Sequence, residues 1–508
     1  MNKNILDWLE ETEKKVPNKI AFCDPTTDIT YKELVEKSQC VGSCLIGRIQ
    51  MNESVGIYME KSVLSTIGLF GVVYAGGFYS FLDLRQPEHR LKQIESVLQP
   101  KVILTDVEHR LEAEEYFNCE IITLESILDN GRIYEDGLQE VRKKRLDIDP
   151  LYVNFTSGST GVPKGVTVSH RNVLDFIEIF VCTTGIQEND ILGNQAPYDF
   201  DVSVKDIYSG IYTGATVVII PREYFSNPTK LMDYVCKKEC TVFTWAVSAM
   251  CFVSIMNGFG YKIPEKVRLV MFSGEVMPIK QLNKWKEALP HTTFINLYGP
   301  TEITCNCTYY VLEDRLYDSD ECIPIGKPFE NEKVFLLDEN DCLITEKENE
   351  GEICVSGTCV SLGYYNDSER TNLVFVQNPL NTKTYERIYR TGDLGKYDEN
   401  GNLIYTSRKD FQIKHLGHRI ELGEIESQVE KNEFVSRAVC IYDSVKKRIL
   451  LFYTGSIESK ELLVSLHEVL PSYMLPNKAI QLEELPMSKN GKIDRNILKK
   501  LGGKKHVG

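Results

Sequence analysis

Short β-branched runs alternate along the chain with longer segments in which apolar residues recur every three or four positions. KVILTD (101–106), ATVVIIP (215–221) and VRLVMFSG (267–274) have the length and composition of buried strands. Between them, NPTKLMDYVCKKE (227–239) and PIKQLNKWKEAL (278–289) gather apolar residues on one helical face. This rhythm predicts α/β architecture with largely parallel sheets. The opening residues, MNKNILDWLEETEKKVPNKI, predict an amphipathic helix, and charges interrupt its apolar positions too often for a secretion signal. IGLFGVVYAGGFYSFL (67–82) comes nearest to a membrane span. It falls short of the ~18 unbroken apolar residues a span needs, so it predicts a buried helix, a turn and a strand.

After about residue 320 the strands become short and turn-rich, as in KVFLLDEN, GEICVSG and GNLIYTS, which predicts a smaller β subdomain of distorted-barrel form. Beyond Arg408–Asp410 the pattern is compact and mixed, through RAVCIYD, RILLFYTG and SKELLVSLHEVLP, and suits a final domain of ~100 residues. There is no tandem repeat and no low-complexity tract.

A length of 508 residues exceeds one simple core. With 42% apolar and 26% charged residues, the composition is that of a globular protein. A net charge of −15, without a long Lys/Arg run to offset it, excludes a general nucleic-acid binder. A small polyanion held by a few local donors stays possible. The fifteen cysteines are scattered, odd in number and without CxxC spacing. They predict reduced thiols used as small core residues in a cytoplasmic protein, not disulfides or a metal site.

Residues 154–166, NFTSGSTGVPKGV, follow an apolar strand. Gly158 and Gly161 allow backbone N–H groups to approach an anion. Thr156, Ser157, Ser159 and Thr160 add hydroxyls, and Lys164 adds positive charge. Pro163 before Lys164 rules out a Walker loop. On these residues alone the segment is either a phosphate cradle or a solvent-exposed turn. Four more stretches carry candidate chemistry. INLYGPTEIT (295–304) sets Glu302 past a Gly-Pro turn. YRTGDLGKYDENG (389–401) predicts a tight loop around Asp393. SRKDFQIKHLGHRIELGEIE (407–426) interleaves Arg408, Asp410, Lys414, Arg419 and Glu421. LPMSKNGKIDR (485–495) puts Lys492 in a glycine-containing loop. Singly, these read as well as a capped turn, a hairpin, a solvated charged face and a basic tail.

Together and in this order, from ITYKEL (29–34) and YAGGFYSFLDLRQPEHR (74–90) to NGKIDR, the stretches resemble the adenylate-forming superfamily. Within it they are similar to amino-acid adenylation domains of nonribosomal peptide synthetases, free-standing D-alanine–D-alanyl carrier protein ligases among them. The resemblance implies a large N-terminal domain (1–408) of two parallel-sheet α/β subdomains plus a small β-barrel subdomain. A small mobile α+β C-terminal domain (409–508) would follow, swinging about Asp410. It implies an enzyme that joins an amino acid to ATP as aminoacyl-AMP, then passes the acyl group to the phosphopantetheine of a carrier protein. By the same resemblance Thr156 to Lys164 hold the β- and γ-phosphates, Glu302 binds Mg2+ and Thr301 meets the α-phosphate. Asp393 grips the ribose hydroxyls and Arg408 contacts the ribose or a phosphate, while Gly274, Glu275, Asn296 and Tyr298 form the adenine pocket. Lys492 bridges the substrate carboxylate and the α-phosphate. Ser407 departs from the family's usual glycine before Arg408.

NQAPYDFDVSVKDIY (194–208) bears on the substrate. The resemblance implies that Asp201 binds an α-amino group; the residues alone also admit a helix N-cap. The side-chain pocket is expected from Val202, Lys205, Thr244, Met271, Ser273, Leu297, Cys305 and Asn306. Ser273 stands where the D-alanyl ligases have cysteine. Lys205 either faces an acidic substrate or snorkels to solvent. No carrier serine motif and no condensation motif are present in the sequence, so the acceptor is expected to be a separate carrier protein, or coenzyme A. An acyl- or aryl-CoA synthetase and a catalytically silent ATP-binding scaffold are the alternatives.

Overall fold

The structure, a computed structural model, describes residues 3–158, 161–347, 349–444, 446–486 and 493–503. The chain forms two compact units. One comprises Met1–Asp83, Leu98–Asn154 and Gly165–Lys409; the other comprises Leu84–Val97, Phe155–Lys164 and Asp410–Gly508.

The first unit opens with the amphipathic helix Ile5–Lys15. The Asn4 side chain accepts from Leu6 N–H, Asp7 completes a capping box, and Lys14 and Lys15 face the negative end of the helix dipole. Ile5, Leu6, Trp8 and Leu9 are buried. The apolar stretch near residue 70 is helix Val63–Tyr74, then a glycine turn, then strand Phe78–Phe81. Having an apolar surface almost all round, this helix is buried almost all round.

Two large sheets organise the unit. The nine-stranded sheet runs in spatial order Lys327–Pro328, Thr308–Val311, Thr293–Tyr298, Leu269–Ser273, Val242–Ala246, Ile191–Asn194, Thr216–Ile219, Ile20–Cys23, Asp28–Thr30. Its centre is parallel and its edges are antiparallel. The seven-stranded sheet runs Gly363–Tyr364, Lys164–Ser169, Pro150–Thr156, Phe78–Phe81, Ser54–Tyr58, Val102–Thr105, Glu120–Thr123. One hydrophobic cluster, containing Trp8, Phe70, Leu104, Tyr152, Tyr208 and Met271, is shared by helices and strands of both sheets. Parallel strands buried on both faces need apolar side chains at successive positions, which is why these segments read as continuous hydrophobic runs.

The third sheet is six-stranded and antiparallel. Its longest strand, Arg387–Tyr397, pairs first with Phe375–Gln377 and then with Leu403–Arg408.

The second unit contains the hairpin Gln412–His415/His418–Glu421, helix Leu422–Glu430, and strands Val435–Asp443, Arg448–Gly455 and Lys478–Gln481. Its own core includes Ile420, Ile425, Val429, Leu451, Tyr453, Leu462 and Met474. All fifteen cysteines are free thiols. Among the described residues no helix is long and apolar enough to cross a membrane.

Candidate active site

In the first unit the candidate residues gather beyond the carboxyl ends of the parallel strands Ile191–Asn194, Val242–Ala246, Leu269–Ser273 and Thr293–Tyr298. Open α/β sheets bind ligands at such edges. Thr244 lies opposite Met271, and Ala246 opposite Ser273. Met271 and Ser273 therefore share one face of the sheet with Thr244. Met271 and Leu297 join the cluster that also contains Val204, Ile207 and Tyr208 of helix Val202–Thr213.

Asp201 precedes this helix at its N-cap but makes no side-chain capping bond, so the capping alternative does not describe it. Lys205 lies one turn further along. It is 0% exposed and does not snorkel; its Nζ donates to Asn306 Oδ1 at 2.6 Å. Burial pushes the neighbouring Cys305 thiol up to about 12, with Lys205 opposing and Asp201 reinforcing that shift. Asp201, Lys205, Cys305 and Asn306 thus converge. Val202 is half-buried beside Asp201. The backbone holds the Cys305–Asn306 wall tightly. Thr304 (φ 56°) and Cys305 (φ 84°) both occupy the left-handed region, a strained conformation for non-glycine residues. A Cβ on Gly299 would lie 2.5 Å from Asn306 Cα, so only glycine lets the two strands of chain approach there.

Glu302, in the 3-10 turn Thr301–Ile303, is 0% exposed, and its Oε1 accepts from Tyr364 Oη at 2.8 Å. Asp393 corrects the tight-loop reading. It lies inside strand Arg387–Tyr397, opposite Arg408 in register, just after Gly392 (φ 71°) distorts the strand. The hairpin turn comes later, where Asp398 caps the Asn400–Asn402 turn. Asp393 is 1% exposed. Tyr298 Oη donates to its Oδ2 at 2.5 Å and Arg408 Nη1 to its Oδ1 at 2.6 Å. Burial raises the Tyr298 hydroxyl's pKa, and the Asp393 carboxylate raises it further. Asn296 donates to Pro324 O at 2.8 Å, while Gly274 and Glu275 follow the end of strand Leu269–Ser273.

In the second unit the described part of the glycine-rich segment is largely buried rather than a solvent-exposed turn, with Val162 its exposed member. Ser157, Gly158 and Gly161 are buried, and Gly161 N–H donates to Gly158 O. Ser157 Oγ donates to Arg419 O at 2.6 Å, and Lys164 Nζ lies 3.5 Å from Glu421 Oε1. The buried Thr156 hydroxyl has no hydrogen-bond partner among the described residues. Asp410 opens the unit's longest stretch and its Oδ1 accepts from Gln412 N–H. Ser159, Thr160 and Lys492 lie outside the described residues.

Three contributors escaped the sequence reading. Lys61 Nζ is within 3.2 Å of Asn194 O, Asn194 Oδ1, Gln195 O and Ala196 O, and so shapes the loop that leads to Asp201. Burial pulls its pKa down to about 7, and Asp206 partly restores it. Asp206, which accepts from Asn194 Nδ2 at 3.0 Å, is raised by burial to about 6. Tyr364 is the partner of Glu302. Both Lys61 and Tyr364 meet partners far along the chain, and no local pattern marks them.

Residues 9–365 match the model of the AMP-binding enzyme family. Zwittermicin A synthase ZmaJ of Bacillus cereus is 32% identical over 517 residues, covering 100% of this chain and 96% of that protein. Gramicidin S synthase 1 of Brevibacillus brevis is 32% identical over 511 residues, covering 98% of this chain, which spans only 44% of that protein. Among solved structures, holo-PA1221, a nonribosomal peptide synthetase protein containing adenylation and PCP domains, shares the fold. Its TM-score is 0.81 at 22% identity, over 98% of this chain and 84% of that one. The chain belongs to the AMP-binding enzyme family.

Proposed function

We propose that the protein activates an amino acid with ATP and then transfers it to a thiol. In the first half-reaction the substrate carboxylate attacks the α-phosphorus, the bond to the β-phosphate breaks, and pyrophosphate leaves. In the second, the phosphopantetheine thiol of a carrier protein loses its proton, attacks the acyl carbon and displaces AMP. The observation that carries this reading is the cluster of Asp201, Lys205, Cys305 and Asn306 beyond the strand ends, in a chain of this family. Asp201 receives the α-ammonium, which offsets the cost of a carboxylate among buried groups. Thr244, Ser273, Cys305, Asn306 and Lys205 give the pocket wall a polar character. This suits a polar or acidic side chain, which can add bonds to Lys205 and to the Thr244 and Ser273 hydroxyls that an apolar one cannot.

Asp393 and Arg408 hold the ribose. Thr156, Ser157, Gly158, Gly161 and Lys164, with Ser159 and Thr160, hold the outer phosphates; the orphaned Thr156 hydroxyl is a fit for an anionic oxygen. Glu302 suits Mg2+, which takes one or two carboxylates together with substrate phosphates. A bound Mg2+ would screen the triphosphate from the attacking carboxylate. Lys492 supplies a second positive charge at the α-phosphate, and Asp410 is the hinge. The thiol partner is a carrier of the PCP kind, as the adenylation and PCP domains in the name of the PA1221 structure suggest.

Exchange of labelled pyrophosphate into ATP tests the reading, with proteinogenic and D-amino acids, fatty acids and aryl acids offered in parallel. Exchange that depends on an amino acid is expected. Exchange only with fatty or aryl acids would move the chain to the acyl- or aryl-CoA synthetases, and no exchange with any acid would remove the catalytic assignment.

A further inference from the structure

Two described donors of the glycine-rich loop, the Gly158 N–H and the Lys164 ammonium, are met by carboxylate oxygens of the same unit. Gly158 N–H donates to Glu424 Oε2 at 3.1 Å. The other oxygen of Glu424 takes the Arg90 guanidinium. Lys164 Nζ lies 3.5 Å from Glu421 Oε1. Around these contacts, Ser157 Oγ donates to Arg419 O at 2.6 Å and Gln428 Nε2 to Gly161 O at 3.5 Å. The Glu424 and Arg90 side chains are 1% and 5% exposed, while Lys164 and Glu421 are 12% exposed each.

Backbone N–H groups of a glycine loop and a lysine ammonium are the donors that recognise phosphate oxygens. Here a carboxylate answers the Gly158 N–H and the Lys164 ammonium. The one Gly158 N–H does not serve Glu424 and a phosphate together. A phosphate on Lys164 would also face the like charge of Glu421.

We infer that Glu424 and Glu421 are resident anions that compete with the nucleotide's outer phosphates for the glycine loop. The loop therefore alternates between a carboxylate-capped and a phosphate-bound state. This rests on the phosphate-loop reading proposed above. Capping follows pyrophosphate departure, and by occupying the vacated donors it opposes pyrophosphate return while the acyl group is transferred. Glu424, anchored by Arg90, positions the cap. Glu421 tunes its strength through Lys164.

The test is titration of the full-length chain with inorganic pyrophosphate and Mg2+ by calorimetry. Glu421→Gln removes the competing charge at a partly exposed site, and is expected to bind pyrophosphate roughly five- to tenfold more tightly. Lys164→Ala is expected to lose most of the binding. Glu424→Gln serves as a second cap variant, checked by its melting curve because it leaves Arg90 buried without its anion, and it too should bind more tightly. If Glu421→Gln binds within twofold of the natural chain while Lys164→Ala has lost binding, the capping inference is overturned and the phosphate-loop reading stands. If Lys164→Ala binds as well as the natural chain, the phosphate-loop reading fails and takes the inference with it.

Discussion

Asp393 offers a quantitative test, because its carboxylate is given two duties at once. It bonds Tyr298 at 2.5 Å and Arg408 at 2.6 Å, in a site where it is 1% exposed. A carboxylate offers about four acceptor positions, so two stay available to a ribose diol once the covering side chains give way. Asp393→Asn keeps the volume. The amide oxygen still accepts from Tyr298, but one former acceptor now turns N–H groups toward Arg408 and toward the ribose. Hydrogen bonds to a charged group contribute about 1.5–3 kcal/mol each. Loss of one such bond to the nucleotide raises the KM for ATP roughly 10- to 100-fold. The assay is pyrophosphate exchange at varied ATP with saturating acid, paired with a thermal melt. Tyr298→Phe is the control. It removes the hydroxyl and its bond but leaves the carboxylate charged, so it is expected to lower stability by about 1.5–3 kcal/mol and to move the KM for ATP less than threefold. An Asp393→Asn enzyme that melts early yet keeps the natural KM for ATP would refute the ribose assignment and leave Asp393 a purely structural node.

Lys205→Met replaces the buried ammonium on Asn306 by an isosteric apolar chain. It should shift relative kcat/KM from polar toward apolar amino acids by about tenfold or more in the exchange panel, with the KM for ATP unchanged. Lys61 and Asp206 give stability a pH signature. Folding lowers the Lys61 pKa to about 7, so the unfolded chain holds that proton more tightly and stability rises from about pH 7 toward the usual lysine range. Folding raises Asp206 to about 6, so stability falls between the usual carboxylate range and about pH 6. Melting temperature against pH should show both limbs, and Lys61→Met should flatten the upper one and, by removing a charge that holds Asp206 down, extend the lower one toward higher pH. Lys492→Ala should abolish most adenylation while retaining much of the transfer from chemically supplied aminoacyl-AMP to a carrier; equal loss in both half-reactions would contradict its role.

The sheets, the buried helix near residue 70, the break between strands Pro150–Thr156 and Lys164–Ser169 and the turn position of Glu302 were legible because each depends on local periodicity or turn chemistry. Asp393 was misplaced for a physical reason. Gly392 and the later Asn400–Gly401 pair both signal turns, but the first only distorts a strand that continues to Tyr397, because Glu352 and Tyr405 ladders hold it on either side. Lys61, Tyr364 and the Glu424 contact to Gly158 escaped notice since their partners are 62 to 266 residues away in the chain. Nothing in a neighbouring residue announces such a pairing. Lys205 was ambiguous for the opposite reason. A lysine one turn after Asp201 fits a helix surface as well as a helix interior, and only the packing of the strands over it decides.

The two left-handed residues at Thr304 and Cys305 restrict how this pocket can diversify. At position 305 a branched or bulky side chain would add torsional penalty to an already unfavourable backbone, so glycine, asparagine or aspartate are the variants it tolerates best. Positions 271, 273 and 297 sit on regular extended backbone and carry no such restriction. New acid preferences in this scaffold should therefore arise by exchange along those strands, with the 304–306 turn kept as a fixed rim.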